Sequence, residues 1–270
     1  VTYVWAVDGW AHRIGQRKTM IRAMIFDLDG TLVQTEKLKA ISYAKAAMTL
    51  RPELKEQDVV DGFRQVVGLS RHEVAQYLVE RFELHDAAAA RMDEFAVGTP
   101  WQAYIQVRLA IYGDMLMNPE VLRSNQWPHN MALLKRARAS CRAVGLATMS
   151  YCPQVQRVLK ILDLKSAFDF VASRDDVEQG KPDPEIYHLV ASELGIPPAE
   201  CLVIEDSPTG VKAALAAGMV CIAVGTPFTR EALHQGGLID KRWIANEPDE
   251  LFDVFEAMIQ DQSIKKPSAN

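Results

Sequence analysis

Long apolar runs are the first thing this sequence lacks: no stretch approaches the roughly 20 residues that a membrane-spanning helix needs. Positive charge is not in excess either. Thirty Lys and Arg face 35 Asp and Glu, a formal net charge of −5 with a pI near 5.7. That balance argues against a nucleic-acid or anionic-membrane surface as the main partner. A small anionic substrate stays open, because its site needs only local positive charge. Cysteine is scarce, and Cys141, Cys152, Cys201 and Cys221 have neither paired nor metal-ligand spacing. They read as buried thiols in a reducing compartment, so a cytoplasmic location is expected. No signal peptide is visible. What is present, 49 % hydrophobic and 24 % charged residues, is the balance of a globular enzyme rather than a disordered tail. The 270 residues suffice for one large domain or two small ones.

The densest information lies in Phe26-Asp27-Leu28-Asp29-Gly30-Thr31. Two carboxylates sit two positions apart after the apolar run Ala23–Phe26. If that run is a buried strand, i and i+2 side chains point the same way, and both aspartates face one site. Burying two unpaired carboxylates costs several kcal/mol, so a cation or a shared proton is expected beside them. The ends of such strands are where open α/β sheets hold ligands. On the hexapeptide alone, a solvated Asp-Gly turn is an equally good reading.

Around it the chain changes rhythm twice. Residues 1–19 show no periodicity and are expected to form a poorly ordered extension without chemistry, with Met20 a candidate true start. From about Lys37 to Leu116 only amphipathic helical patterns appear. Ser70-Arg71-His72-Glu73 reads as a capping box, and Pro100 as the first position of a longer helix. After Trp127-Pro128, helix and strand alternate: a helix over Met131–Ala143, an apolar run Ala143–Ala147, a helix over Pro153–Leu162 and a strand at Phe168–Ala172. A helix over Pro184–Leu194 follows, with Asp183 as its N-cap and Gly195 past its end. Strands at Cys201–Ile204 and Met219–Val224 flank a helix opened by Ser207-Pro208-Thr209-Gly210. Such alternation predicts an α/β fold, a parallel sheet with helices on both faces. An all-helical insertion of residues 37–122 interrupts it after the first strand. The core is then 20–36 and 123–270, with crossings near Gln34–Glu36 and Leu122–Trp127.

Three further strand ends or loops carry polar groups. Gly145-Leu146-Ala147 ends in Thr148-Met149-Ser150, Gly180-Lys181-Pro182 puts a lysine in a stiff loop, and Leu202-Val203-Ile204 ends in Glu205-Asp206-Ser207. Singly, each has a plain explanation: a helix cap, a solvated lysine, and an acidic turn suited to a helix dipole. In this order they supply the parts of a phosphoryl-transfer site.

The ordered set Asp27-Leu28-Asp29-Gly30-Thr31, Thr148, Lys181 and Glu205-Asp206 resembles the haloacid dehalogenase (HAD) superfamily of phosphohydrolases. The likeness spans Ile21–Val224. The helical insertion resembles that family's helical-cap branch, whose core is Rossmann-like. The resemblance implies that Asp27 is the nucleophile of an aspartyl-phosphate mechanism and Asp29 the general acid/base. Mg²⁺ is implied as cofactor, held by Asp27, the Asp29 carbonyl and Asp206, with Glu205 binding directly or through water. Thr148 is implied to donate to the phosphoryl oxygens. Lys181 is implied to give its charge to the transferring group and to Asp27, about 4 kcal/mol for a charge pair at ~4 Å and a dielectric near 20.

Asp29 and the Glu205-Asp206 pair argue against the dehalogenase and phosphonate-cleaving branches, which lack the second aspartate. Phosphatase and β-phosphoglucomutase-type phosphomutase remain. Gly68-Leu69-Ser70-Arg71 resembles the mutases' cap loop, whose arginine grips a distal phosphate. A cation in a first helical turn opposes the dipole, which fits a role in anion binding and fits a solvated arginine equally. Lys39 stands where the mutases carry histidine, and Arg108 near where they carry a second cap lysine. These departures favour the phosphatase. Lys39, Arg64, Arg71 and Arg108 are the cap residues expected to contact a second anionic or hydroxyl group, so a small phosphorylated metabolite such as a sugar phosphate is the expected partner. A non-catalytic binding module is disfavoured because every catalytic position is filled. A monomer or weak homo-oligomer is expected.

Overall fold

The computed structural model describes residues 21–67 and 69–264. The extension expected over residues 1–19 and the Gly68 end of the cap loop lie outside these. Six strands form one parallel sheet in the order β3-β2-β1-β4-β5-β6. They are β1 (Ala23–Phe26), β2 (Ala143–Ala147), β3 (Phe170–Ala172), β4 (Cys201–Glu205), β5 (Val220–Val224) and β6 (Ile244–Ala245). The near-continuous apolar runs of β1, β2 and β4 follow from burial on both faces. On one face Met24, Phe26, Leu146 and Ile204 pack beneath Leu133 and Leu134 of α5 (Pro128–Ser140), Val158 of α6 (Cys152–Ile161) and Phe255 of α9 (Leu251–Ile264). On the other, Ile25, Ala147 and Val203 meet Ile186, Tyr187 and Val190 of α7 (Glu185–Leu194) and Val211 of α8 (Pro208–Ala216). The α/β expectation therefore holds, with a Rossmann-like sheet covered on both sides. β6 is not among the expected strands. Of the four cysteines expected to be buried only Cys201 and Cys221 are, Cys141 being half-buried and Cys152 exposed at the start of α6.

Between β1 and β2 the chain is helical. Four longer helices, α1 (Thr35–Leu50), α2 (Glu56–Arg64), α3 (Arg71–Arg81) and α4 (Pro100–Met117), join shorter turns around a separate apolar cluster. Tyr43, Phe63, Leu78 and Tyr104 fill its centre, and the Tyr104 hydroxyl donates to the Tyr43 carbonyl at 2.8 Å. The capping box forms as expected: Ser70 Oγ accepts from the Glu73 amide, and Glu73 returns to the Ser70 amide. α7 begins at Glu185, one residue later than expected, and Asp183 Oδ1 still accepts from the Glu185 amide at 2.9 Å, the bond expected of a capping aspartate.

The two segments that join this helical unit to the sheet run side by side. The Gln34 amide donates to the Asn125 carbonyl at 2.7 Å, and the Trp127 amide to the Leu32 carbonyl at 3.0 Å. A second contact comes from the core: Phe228, in the loop after β5, lies edge-on to Phe63 at 6.0 Å with the Arg64 guanidinium 5.5 Å from its ring. Among the described residues no helix is long and apolar enough to cross a membrane.

Candidate active site

Register places the site. Phe26 lies opposite Leu146 of β2 and Ile204 of β4, so the residues that follow these three strands emerge together at one end of the sheet. Asp27 leaves β1 there with its amide bonded to the Ile204 carbonyl at 3.0 Å. Gly30 then turns the chain with a φ of +88°, a left-handed conformation that L side chains rarely adopt. A Cβ at Gly30 would also overlap the Asp206 carboxylate. The glycine of the first motif is thus required by the carboxylate of the last.

Asp27, Glu205 and Asp206 are all at most 5 % exposed, and one carboxylate oxygen from each lies within 4.8 Å of the others. Lys181 joins them, its side chain 4 % exposed, with Nζ 2.8 Å from Asp27 Oδ1 and 2.6 Å from Glu205 Oε1. The third ammonium hydrogen goes to the Ala147 carbonyl at 3.0 Å. Since an ammonium has three donors, none is left for a phosphoryl oxygen. Lys181 can help the transferring group by its charge.

Glu205 is fully engaged. Oε1 accepts from Lys181 and from the Tyr187 hydroxyl at 3.1 Å. Oε2 accepts from the Asp206 amide, the Ser207 amide and the Ser207 hydroxyl at 2.9–3.0 Å. Ser207 in turn caps α8 by accepting from the Gly210 amide. Glu205 therefore ties the lysine to the helix N-terminus.

Asp27 Oδ2 is buried and has no hydrogen-bond partner among the described residues. Three buried carboxylates face one ammonium, and the electrostatics record the deficit. Burial raises the Asp27 carboxyl most, Lys181 pulls it back, and Glu205 and Asp29 push it up again, leaving it at about 7. Burial followed by Glu205 and Asp27 sends Asp206 well above the carboxylate range. Burial opposes the Lys181 charge, but Asp27 and Glu205 override it and hold the ammonium above its usual pKa. An unpartnered buried Asp27 oxygen beside the Asp206 carboxylate, with the charge of the engaged Glu205 behind them, suits a hard divalent cation. Mg²⁺ fits these residues.

Asp29 is only partly buried. Its Oδ2 accepts from Thr148 Oγ1 at 2.9 Å and Ser150 Oγ at 2.7 Å. The Thr148 hydrogen expected for a phosphoryl oxygen is thus spent on Asp29 in this structure.

On the cap the expected residues separate. Lys39 pairs with Glu36 at 2.6 Å, and burial, the largest influence on its charge, is outweighed by Glu36 and Asp29. Arg64 pairs with Asp61 and lies against Phe228, lining the cleft that also holds Gly30 and Glu36. Arg71 is exposed at the start of α3. Arg108 is 4 % exposed, its guanidinium 4.9 Å from the Tyr43 ring and 4.3 Å from the Tyr112 ring, with Nε donating to Ser42 at 2.9 Å. It forms no ion pair among the described residues, and burial lowers its pKa. The Tyr112 hydroxyl is buried without a hydrogen-bond partner among the described residues, and burial pushes it up to about 12.

Reading by motif missed Ser150, Tyr187 and Glu36. Ser150 had a signal, a second hydroxyl two positions after Thr148 at a strand end. Tyr187 is reached only through the packing of α7 on the sheet.

A family model described as haloacid dehalogenase-like hydrolase matches residues 21–218. A phosphoglycolate phosphatase of Salmonella typhimurium is 32 % identical over 250 residues, covering 88 % of this chain and 91 % of that protein. A phosphorylated carbohydrates phosphatase of Thermotoga maritima is 28 % identical over 244 residues, covering 88 % and 100 %. A HAD family hydrolase from Deinococcus radiodurans, solved with phosphate and sodium bound, superposes with a TM-score of 0.65 at 24 % identity, covering 90 % and 98 %. That likeness concerns the fold.

Proposed function

Because this chain belongs to the haloacid dehalogenase-like hydrolase family, we propose that it is a Mg²⁺-dependent phosphatase of small phosphorylated metabolites, working through an aspartyl-phosphate on Asp27. The observation that carries the reading is the Asp27 carboxylate: one oxygen pinned by Lys181, the other buried and unpartnered. Asp27, Asp206 and the Asp29 carbonyl would hold the cation, with Glu205 acting on the cluster through its charge and its grip on Lys181. When bound, Mg²⁺ neutralises the phosphoryl oxygens and orients them for in-line attack.

This chain's own residues then divide the work. Asp27 attacks phosphorus, the bond to the leaving oxygen breaks, and Asp29 protonates that oxygen. In the second half, Asp29 takes a proton from water, the water oxygen attacks phosphorus, and Asp27 is released with inorganic phosphate. Lys181 offsets the approach of two anions. A buried, unpaired cation is rarely left without a partner. Arg108, with Arg71 and Lys39 nearby, therefore supports a substrate whose far end carries a second anionic group or several hydroxyls, as sugar phosphates do.

Phosphate release from a panel of esters with Mg²⁺, abolished by EDTA, tests the reading. Asp27→Asn should remain folded and lose kcat by at least about 10³-fold, the scale expected when a covalent route is closed. Isomerisation of β-glucose 1-phosphate faster than phosphate release would replace the phosphatase with the mutase.

A further inference from the structure

Thr148 carries one hydroxyl hydrogen and has two claims on it, a phosphoryl oxygen in the proposed mechanism and Asp29 in the structure. Ser150 has a single claim. Its Oγ donates to Asp29 Oδ2 at 2.7 Å, the shorter of the two bonds. Its own backbone is held at both ends, the amide donating to Thr148 Oγ1 at 3.1 Å and the carbonyl accepting from the Arg174 amide at 3.0 Å. The serine is therefore placed by the end of β2 and the loop after β3, independently of Asp29. It reaches across to a residue 121 positions away. None of these bonds is part of the β1–β2 pairing, which ends at Phe26 and Leu146.

We infer that Ser150 is a positioning residue for Asp29, holding the carboxyl so that Oδ1 is the oxygen presented to the leaving group and to water. This deepens the phosphatase reading and rests on it. The chemistry is economical in atoms. A carboxylate oxygen and a carbonyl oxygen each accept two hydrogen bonds, so Oδ2 can keep both hydroxyls whether or not Oδ1 carries a proton. Proton transfer at Oδ1 then needs no rotation of the carboxyl. When Thr148 turns toward a phosphoryl oxygen, Ser150 is the donor that remains on Oδ2. Charge-assisted O–H···O⁻ bonds of this length are the stronger kind, which suits one bond to hold an orientation alone.

The role predicts a particular failure. Leaving groups that depart as stable anions, such as 4-nitrophenolate, need little protonation, whereas alkoxides need it fully. Misorienting Asp29 should cost only the second class. The test compares kcat/KM for wild type, Ser150→Ala, Ser150→Thr and Ser150→Cys over phosphate esters running from 4-nitrophenyl phosphate to alkyl phosphates. kcat/KM is chosen because it reports the enzyme only as far as phosphoryl transfer to Asp27, before water enters.

Ser150→Ala should lose about tenfold or more on alkyl phosphates and less than about threefold on 4-nitrophenyl phosphate, part of the 10²–10⁴ that a positioned acid supplies. Ser150→Thr should restore the wild-type pattern, and the weak S–H donor of Ser150→Cys should fall between. Thermal melts of each variant show whether the fold is kept. Should Ser150→Ala fail to fold, the cysteine variant decides: a steeper dependence on leaving-group acidity supports the role, and a wild-type dependence overturns it. An equal loss across the whole ester series also overturns it while leaving the phosphatase reading intact. A wild-type protein that releases phosphate from no ester sinks that reading, and the Ser150 role with it.

Discussion

Core and cap each bury charge that their own side chains leave unbalanced, and the imbalances have opposite sign. At the end of the sheet, Asp27, Glu205 and Asp206 are buried together, and the one ammonium among them, Lys181, pairs with the first two. In the helical unit, Arg108 lies between two tyrosine rings and forms no ion pair among the described residues, Glu36 reaching it only through its more distant charge. A buried charge without a counterion is costly, so neither arrangement is explained by stability alone. The core is short of a cation and the cap is short of an anion. A metal and a phosphorylated substrate between them would supply both, which is why the contrast points to a reaction carried out at their junction.

Replacing Lys181 should give the largest effect. Lys181→Met leaves Asp27 and Glu205 buried together without their ammonium. Without metal, unfolding in urea should show a loss of about 3–5 kcal/mol, the scale of breaking a buried pair from one side. Activity should fall by about 10²–10³ through lost electrostatic help. Unchanged stability would mean that the core charges are not coupled as their distances imply.

The cap should answer differently. Arg108→Met removes an unpaired buried charge along with two ring contacts and one hydrogen bond, losses and gains that nearly cancel. Stability should stay within about 1 kcal/mol of wild type, while kcat/KM for a substrate with a distal anion falls about 10–100-fold. A stability loss matching that of Lys181→Met would erase the contrast between the two regions.

The smallest effect concerns pH. The Asp27 carboxyl rises from 3.8 to about 7 on folding. Between those values the folded state holds a proton that the unfolded chain has released, so metal-free stability should fall as pH rises through this window. A divalent cation takes over the role of that proton. Its stabilising shift in Tm should therefore be larger at pH 8 than at pH 5, and equal shifts at both would break the expectation.

Much of this was legible from residue order. Apolar runs and turn residues located β1 to β5, whereas the two residues of β6 are too few to leave a pattern; the Ser70–Glu73 box located the start of α3. Motif spacing brought out Asp27, Asp29, Thr148, Lys181, Glu205 and Asp206, because strand ends in a parallel sheet converge whatever lies between them. The cap was less readable. Helical periodicity assigns a face and leaves its neighbour open. Lys39, Arg64, Arg71 and Arg108 looked alike in sequence, yet one pairs with Glu36, one turns to Phe228, one is exposed and one is enclosed by tyrosines.

The sequence by itself determined the class of fold, the helical interruption after the first strand, and the carboxylates, lysine and hydroxyl of the site. Those follow from local physics: burial sets the period of apolar residues, and strand direction carries the following residues to one edge. Only the tertiary structure decided how the hydrogens are shared. Lys181 spends all three of its own on Asp27, Glu205 and the Ala147 carbonyl, Thr148 and Ser150 both turn to Asp29, and Arg108 forms no ion pair among the described residues. A hydrogen bond depends on distances of a few tenths of an ångström between groups from 24 to 154 residues apart, and no local pattern in the chain encodes that.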